Sequence, residues 1–199
     1  LLFVAQNKEI IRRTVANERA QLLQPQPGLR VSLQAKHIGN GSILALPLFS
    51  YRTSHDTVVM VEDYRPVVQS FTDVEQPLGY LIPKNQPALL DWAERQALPH
   101  ENFTLRNDLH IEQYYVHAID SIDFEDELVA DAIVERRAIS PDFKADDYVF
   151  YPCNHLKGKM MVMALEPKSM LGLVTYPDFR SLLKAETFYP VLRVVGKKK

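Results

Sequence analysis

Apolar positions change their period along this chain, and the changes mark its elements. Over 1–24, Phe3, Ile10, Ile11, Thr14, Val15 and Leu22 recur near helical spacing, with Lys8, Glu9, Arg12, Arg13 and Arg19 between them. That pattern predicts an amphipathic helix, stopped by Pro25 and Pro27 ahead of Gly28. From Leu29 the period drops to two: Leu29, Val31 and Leu33 alternate with Arg30, Ser32 and Gln34. Gly39-Asn40-Gly41-Ser42 is a turn, because glycine and asparagine accept positive φ. Strands at 43–51 and 57–61 complete a three-stranded antiparallel meander, with Pro47 at an edge or a bulge. Mixed polarity with Pro66 and Pro77 predicts a connector over 63–77.

A short apolar strand, Gly79-Tyr80-Leu81-Ile82-Pro83, follows. Pro87 suits the first turn of the next helix, 86–97. There Leu89, Leu90 and Ala93 face inward, Asp91, Glu94 and Arg95 face water, and Pro99 ends the element. Strands are predicted at 103–105, 113–119, 130–139, 148–151 and 188–195, and a helix at 160–165 before Pro167. Ser140-Pro141-Asp142 marks a turn, and 169–173 a further short helical turn. Strands dominate and helices are few, so the expected class is α+β: an N-terminal helix, an antiparallel β meander, then a mixed strand and helix unit. The corresponding segments are 1–24, 25–70 and 71–199.

An apolar fraction of 46% over 199 residues supports a real core. The net charge of −2 offers no electrostatic case for nucleic acid. Lys197, Lys198 and Lys199 form a terminal basic cluster of the kind that is solvated. The single cysteine, Cys153, rules out an internal disulfide framework. No segment approaches the ~18 consecutive apolar residues of a membrane span. Because the chain begins with leucine, it reads as a fragment or processed product of something longer.

Several segments in order resemble the region that follows the catalytic domain in bacterial zinc carboxypeptidases of the carboxypeptidase A type. Val4-Ala5-Gln6-Asn7-Lys8-Glu9-Ile10 is similar to that domain's closing helix. Residues 29–64 resemble the β-rich segment after it, and 77–103 its proline-ended strand, helix and next strand. Residues 148–179 resemble the distal strand and the helix ending in Leu165-Glu166-Pro167. The resemblance implies an accessory region that packs on the catalytic domain of the parent chain and shapes access of a peptide substrate, or assembly. It implies zinc in the parent and a periplasmic or secreted location. The alternative is an independent peptide- or glycan-binding module.

Zinc in such enzymes needs a His-x-x-Glu pair, a distant third histidine and an open position for water. The third residues after His37, His55, His100, His110 and His155 are Asn40, Val58, Phe103, Gln113 and Gly158. His117 is followed by Asp120, but residues three apart on a strand point to opposite faces. The carboxylates Asp120, Asp123, Glu125, Asp126 and Glu127 lack the mid-loop glycine of a calcium-binding EF-hand and read as a solvated loop. Cys153 and His155 could form a thiolate–imidazole pair, weighed against a buried structural cysteine. Ser42 stands outside any Gly-x-Ser-x-Gly elbow. Met160, Met161 and Met163 read as core packing rather than an adaptable binding surface. Tyr114, Tyr115, Tyr148 and Tyr151 read as strand packing rather than a groove lining. No catalytic residue, cofactor-binding residue or metal ligand is therefore assigned, no cofactor is expected in this chain, and neither nucleic acid nor a membrane span is expected as a partner.

Overall fold

A computed structural model describes residues 2–24, 28–124 and 126–196. Pro25, Pro27, Glu125 and the terminal lysines lie outside them. The class is α+β, as the periodicity predicts. The N-terminal helix is broken in two, α1 (Leu2–Gln6) and α2 (Lys8–Leu22). At the break the Asn7 backbone N–H and its side-chain Nδ2 both donate to the Phe3 carbonyl, at 3.0 and 2.9 Å.

The strand region keeps its strands but pairs them differently from a meander. β1 (Arg30–Ile38) pairs with β4 (Val67–Glu75), and β2 (Leu44–Ser50) with β3 (His55–Val61), all antiparallel. The chain thus runs out along β1 and β2, turns at 51–54, and returns along β3 and β4. β4 occupies most of the stretch predicted as a connector. A bulge at Leu33 interrupts the β1–β4 register, so both Leu33 and its neighbour Gln34 turn inward and are buried.

The ribbon's base is tied to the rest of the fold. Gln34 Nε2 donates to Asp131 Oδ1 at 2.8 Å, Thr72 Oγ1 donates to Gln34 Oε1 at 2.7 Å, and Lys168 Nζ meets the same Asp131 oxygen at 2.7 Å. Val31, Leu33 and Val74 join the main hydrophobic core.

That core is organised by a five-stranded antiparallel sheet. β5 (Gly79–Pro83), β6 (Leu109–Phe124), β7 (Glu127–Ala138), β8 (Tyr148–Pro152) and β9 (Thr187–Gly196) lie in the order β7-β6-β9-β5-β8. β5 is buried along its whole length, as a continuous apolar run predicts. Period-two alternation sends Tyr80, Ile82, Tyr151, Tyr189 and Val191 to one face and Leu81, Phe150, Leu192 and Val194 to the other. Two helices, α3 (Pro87–Arg95) and α4 (Gly158–Leu165), pack against the first face through Leu89, Trp92 and Ala93, and through Met161, Val162 and Leu165. Phe103, Ile139, Phe143 and Tyr148 pack against the second. No strand forms at 103–105; Glu101 instead makes an isolated bridge to Phe150.

Candidate functional site

The polar groups best placed to carry chemistry by burial converge on one spot beneath the central strands. Tyr80 on β5 and Arg193 on β9 are opposite neighbours in the sheet, and Glu166 follows α4. All three are almost completely buried. Tyr80 Oη donates to Glu166 Oε1 at 2.6 Å. Arg193 Nε stands 3.0 Å from the same oxygen, but its N–H is not aimed at it, so that contact is a charge attraction rather than a hydrogen bond. Arg193 Nη1 donates to Glu112 Oε2 and to Tyr114 Oη, each at 3.2 Å, and Nη2 donates to the Glu75 carbonyl at 2.6 Å.

Burial alone would lower the affinity of Arg193 for its proton; the Glu166 carboxylate, with Tyr114, Tyr80 and Glu112, outweighs that and holds it above the ordinary arginine value. Burial, and then Glu166, push the Tyr80, Tyr114 and Tyr189 phenols up. These are neutral phenols around a compensated ion pair. The arrangement locks β5, β9 and the end of α4 together.

Cys153, directly after β8, is buried. Burial and the Glu166 charge push its thiol well above the usual range, with Arg193 only partly opposing them. His155 Nδ1 accepts the Lys157 backbone N–H at 3.1 Å, and among the described residues no hydrogen bond joins its ring to the Cys153 sulfur. We expect Cys153 in the folded chain to label slowly with a maleimide even at mildly alkaline pH, and quickly in denaturant. Rapid native labelling, followed by mass spectrometry, would contradict the geometry.

His117 and Asp120 are not brought together. His117 Nε2 lies 3.2 Å from Glu135 Oε2 across the β6–β7 pair, while Asp120 accepts the Ser121 N–H at 2.8 Å. Arg137 Nε donates to the same Glu135 oxygen at 2.9 Å. Chiefly through Arg137, and then His117, the Glu135 carboxyl is held below the usual range. Arg137 also stacks 4.0 Å over the Tyr115 ring, and the whole cluster faces solvent. Asp120, Asp123 and Glu127 lie on the β6–β7 strands, up to the turn. Among the described residues no group of three or more His, Cys, Asp or Glu side chains could hold a metal ion, and no helix is long and apolar enough to cross a membrane.

A cleft of about 620 Å³ opens beside α3 and α4, where Trp92, Met160, Met163, Leu173, Tyr176 and Phe179 line it. The methionines divide: Met161 is core, whereas Met160 and Met163 are half-buried in the cleft wall. Arg95 and Asp178 also border the cleft, and Arg95 is already held by Asp91 at 2.7 Å. Such a lining suits apolar side chains, with flexible thioethers adapting to their shape. Tyr114 and Tyr151, two of the four tyrosines weighed as a groove lining, are buried. Tyr176, which does line the cleft, carries no strand or helix pattern that marks it in the sequence. Comparison with family models, curated proteins and solved structures finds no match for this chain.

Proposed function

We propose that this chain is a noncatalytic accessory unit of a zinc carboxypeptidase-like metallopeptidase, docking on the catalytic domain through α1 and α2. The family rests on the ordered segment resemblances; zinc and the catalytic base belong to the catalytic domain in this reading. The observation that carries the docking is the helix itself. From Lys8 to Gln21 every residue of α2 is exposed, Ile10, Ile11 and Val15 included. A 15-residue helix of that kind is marginal in water without a surface to cover its apolar stripe. The buried groups Tyr80, Tyr114, Glu166 and Arg193, meanwhile, are engaged with one another. Hydrogen exchange tests the docking: α2 amides exchange within seconds in the isolated chain and slow at least tenfold when the chain is joined to a catalytic domain. Equal protection in both contexts refutes it. Release of C-terminal residues from peptides by this chain with added zinc, abolished by a chelator, refutes the noncatalytic assignment.

A second reading, an independent peptide-binding module, is favoured by the cleft. Trp92 lines it, so tryptophan fluorescence reports occupancy directly. A saturable spectral shift on titration with peptides bearing aromatic and aliphatic side chains supports this reading, and no shift at millimolar peptide excludes it.

A further inference from the structure

The outer ribbon of β2 and β3 is apolar on both faces. Residues paired across the ribbon share a face, so Leu46 and Val59 lie on one side and Pro47 and Val58 on the other, next to Met60. Val58 and Met60 are more than half exposed, at 57% and 56%. A two-stranded ribbon alone is marginal in water and gains independent stability from a third or fourth strand.

Its two edges are not equivalent. Pro47, at the centre of β2, has no N–H to offer, and proline in a strand turns its nitrogen to the open side. The β2 edge is therefore interrupted at its middle. β3 has no proline, no lysine and no bulge, and Asp56, near one end, is its one carboxylate. Because Pro47 is paired with Val58, an outward-facing Pro47 nitrogen makes theirs a pair whose backbone groups face away from each other. Val58, and with it Asp56 and Met60, then present N–H and C=O groups to the open side.

We propose that β3 is a strand-addition edge whose occupant is β3 of a second copy of this chain. The two strands pair antiparallel about a two-fold axis at Val58. Val58 then exchanges both backbone bonds with its own counterpart, Thr57 lies opposite Val59, and Asp56 lies opposite Met60. β3 runs from His55 to Val61, so this register overlaps the whole strand. Shifting the axis to Val59 would set Asp56 against Glu62 of the other copy, a like-charge opposition that disfavours it. The result is a continuous four-stranded sheet, β2-β3-β3-β2, closed by symmetry rather than open to further addition, with Pro47 guarding both outer edges.

Sedimentation equilibrium of the full chain at micromolar concentrations tests this. The expected mass is twice the 22.8 kDa of one chain. Val58→Lys weakens association tenfold or more, while Leu48→Lys, on the proline-guarded strand, leaves it unchanged. A spin label on Val58→Cys reports a single short distance between copies; this keeps the proposal testable if Val58→Lys does not fold. A monomeric wild type, a dimer indifferent to Val58→Lys, or a label distance too long for neighbouring strands overturns it. So does a monomer whose β3 instead captures an added β-strand peptide or binds lipid vesicles.

Discussion

Glu166→Gln lowers folding stability by about 3–5 kcal/mol, the largest single-residue effect expected in this chain. Glu166 and Arg193 are each about 1% exposed, so neither charge is relieved by water. Removing the carboxylate strands the guanidinium, and its other acceptors compensate only in part: Glu112 at 3.2 Å, Tyr114 Oη at 3.2 Å and the Glu75 carbonyl at 2.6 Å. Arg193→Met costs a similar amount, for the converse reason. The double variant costs less than the sum of the two singles, by about 1–3 kcal/mol, because each charge is harmful chiefly when the other is missing. It does not return to wild type, since Glu112, Tyr114 Oη and the Glu75 carbonyl each lose the hydrogen bond that Arg193 supplies. Urea unfolding of the four proteins measures the cycle. Additive losses would mean that the pair is a bystander.

This network also shows where sequence stops being informative. Leu165-Glu166-Pro167 reads as a helix stop, and a glutamate at a helix end is ordinarily solvated. Its partners Tyr80 and Arg193 stand far from it along the chain, on two different strands, and nothing local signals the meeting. The elements themselves were legible wherever the apolar period was clean: β5, β8, β9 and α3 lie close to their predicted ranges. On α3 Trp92 takes an inner position while Leu90 is only half-buried, a shift of the apolar stripe by part of a turn.

Pairing was less legible than existence. β1 reads as a strand from its alternation, but its choice of β4 over β2 is decided by the long outer hairpin and the turn at 51–54. β4 itself was obscured by its flanking prolines and by Thr72 and Asp73, whose polar side chains serve partners on β1: Gln34 for Thr72 and Arg30 for Asp73. The cleft could not be read at all. Met160 and Met163 carry the same apolar signal as Met161, and only the packing of α4 against the sheet separates wall from core. The apolar stripe of α2 was plain from the start; its exposure was not, because periodicity shows that a face is to be covered without naming what covers it.

Gly158→Ala is the second large effect, and it acts through backbone rather than charge. Gly158 opens α4, and a Cβ at that position falls 2.0 Å from the Cys153 carbonyl oxygen. The obstacle is main chain, so no rotamer change relieves it. The Cys153 carbonyl is already engaged, accepting the His155 N–H at 2.9 Å, while Gly158 N–H donates to His155 O at 2.9 Å. Relief therefore requires the 153–158 loop and the start of α4 to separate. Alanine is the better helix former by about 1 kcal/mol, which would favour the variant were the site open. Overpacking of this kind costs about 1–3 kcal/mol and more when backbone must move, so a net loss of at least about 2 kcal/mol is expected. Met160 and Met163 ride on α4, so the same displacement reshapes the cleft and shifts the Trp92 emission, whereas Gly41→Ala, in an outer turn where a Cβ meets nothing within 4 Å, strains only its own positive φ of 78° and leaves Trp92 unmoved. Thermal unfolding followed by tryptophan fluorescence separates the two, and a Gly158→Ala protein as stable as wild type with unchanged emission would show that α4 does not abut the Cys153 carbonyl.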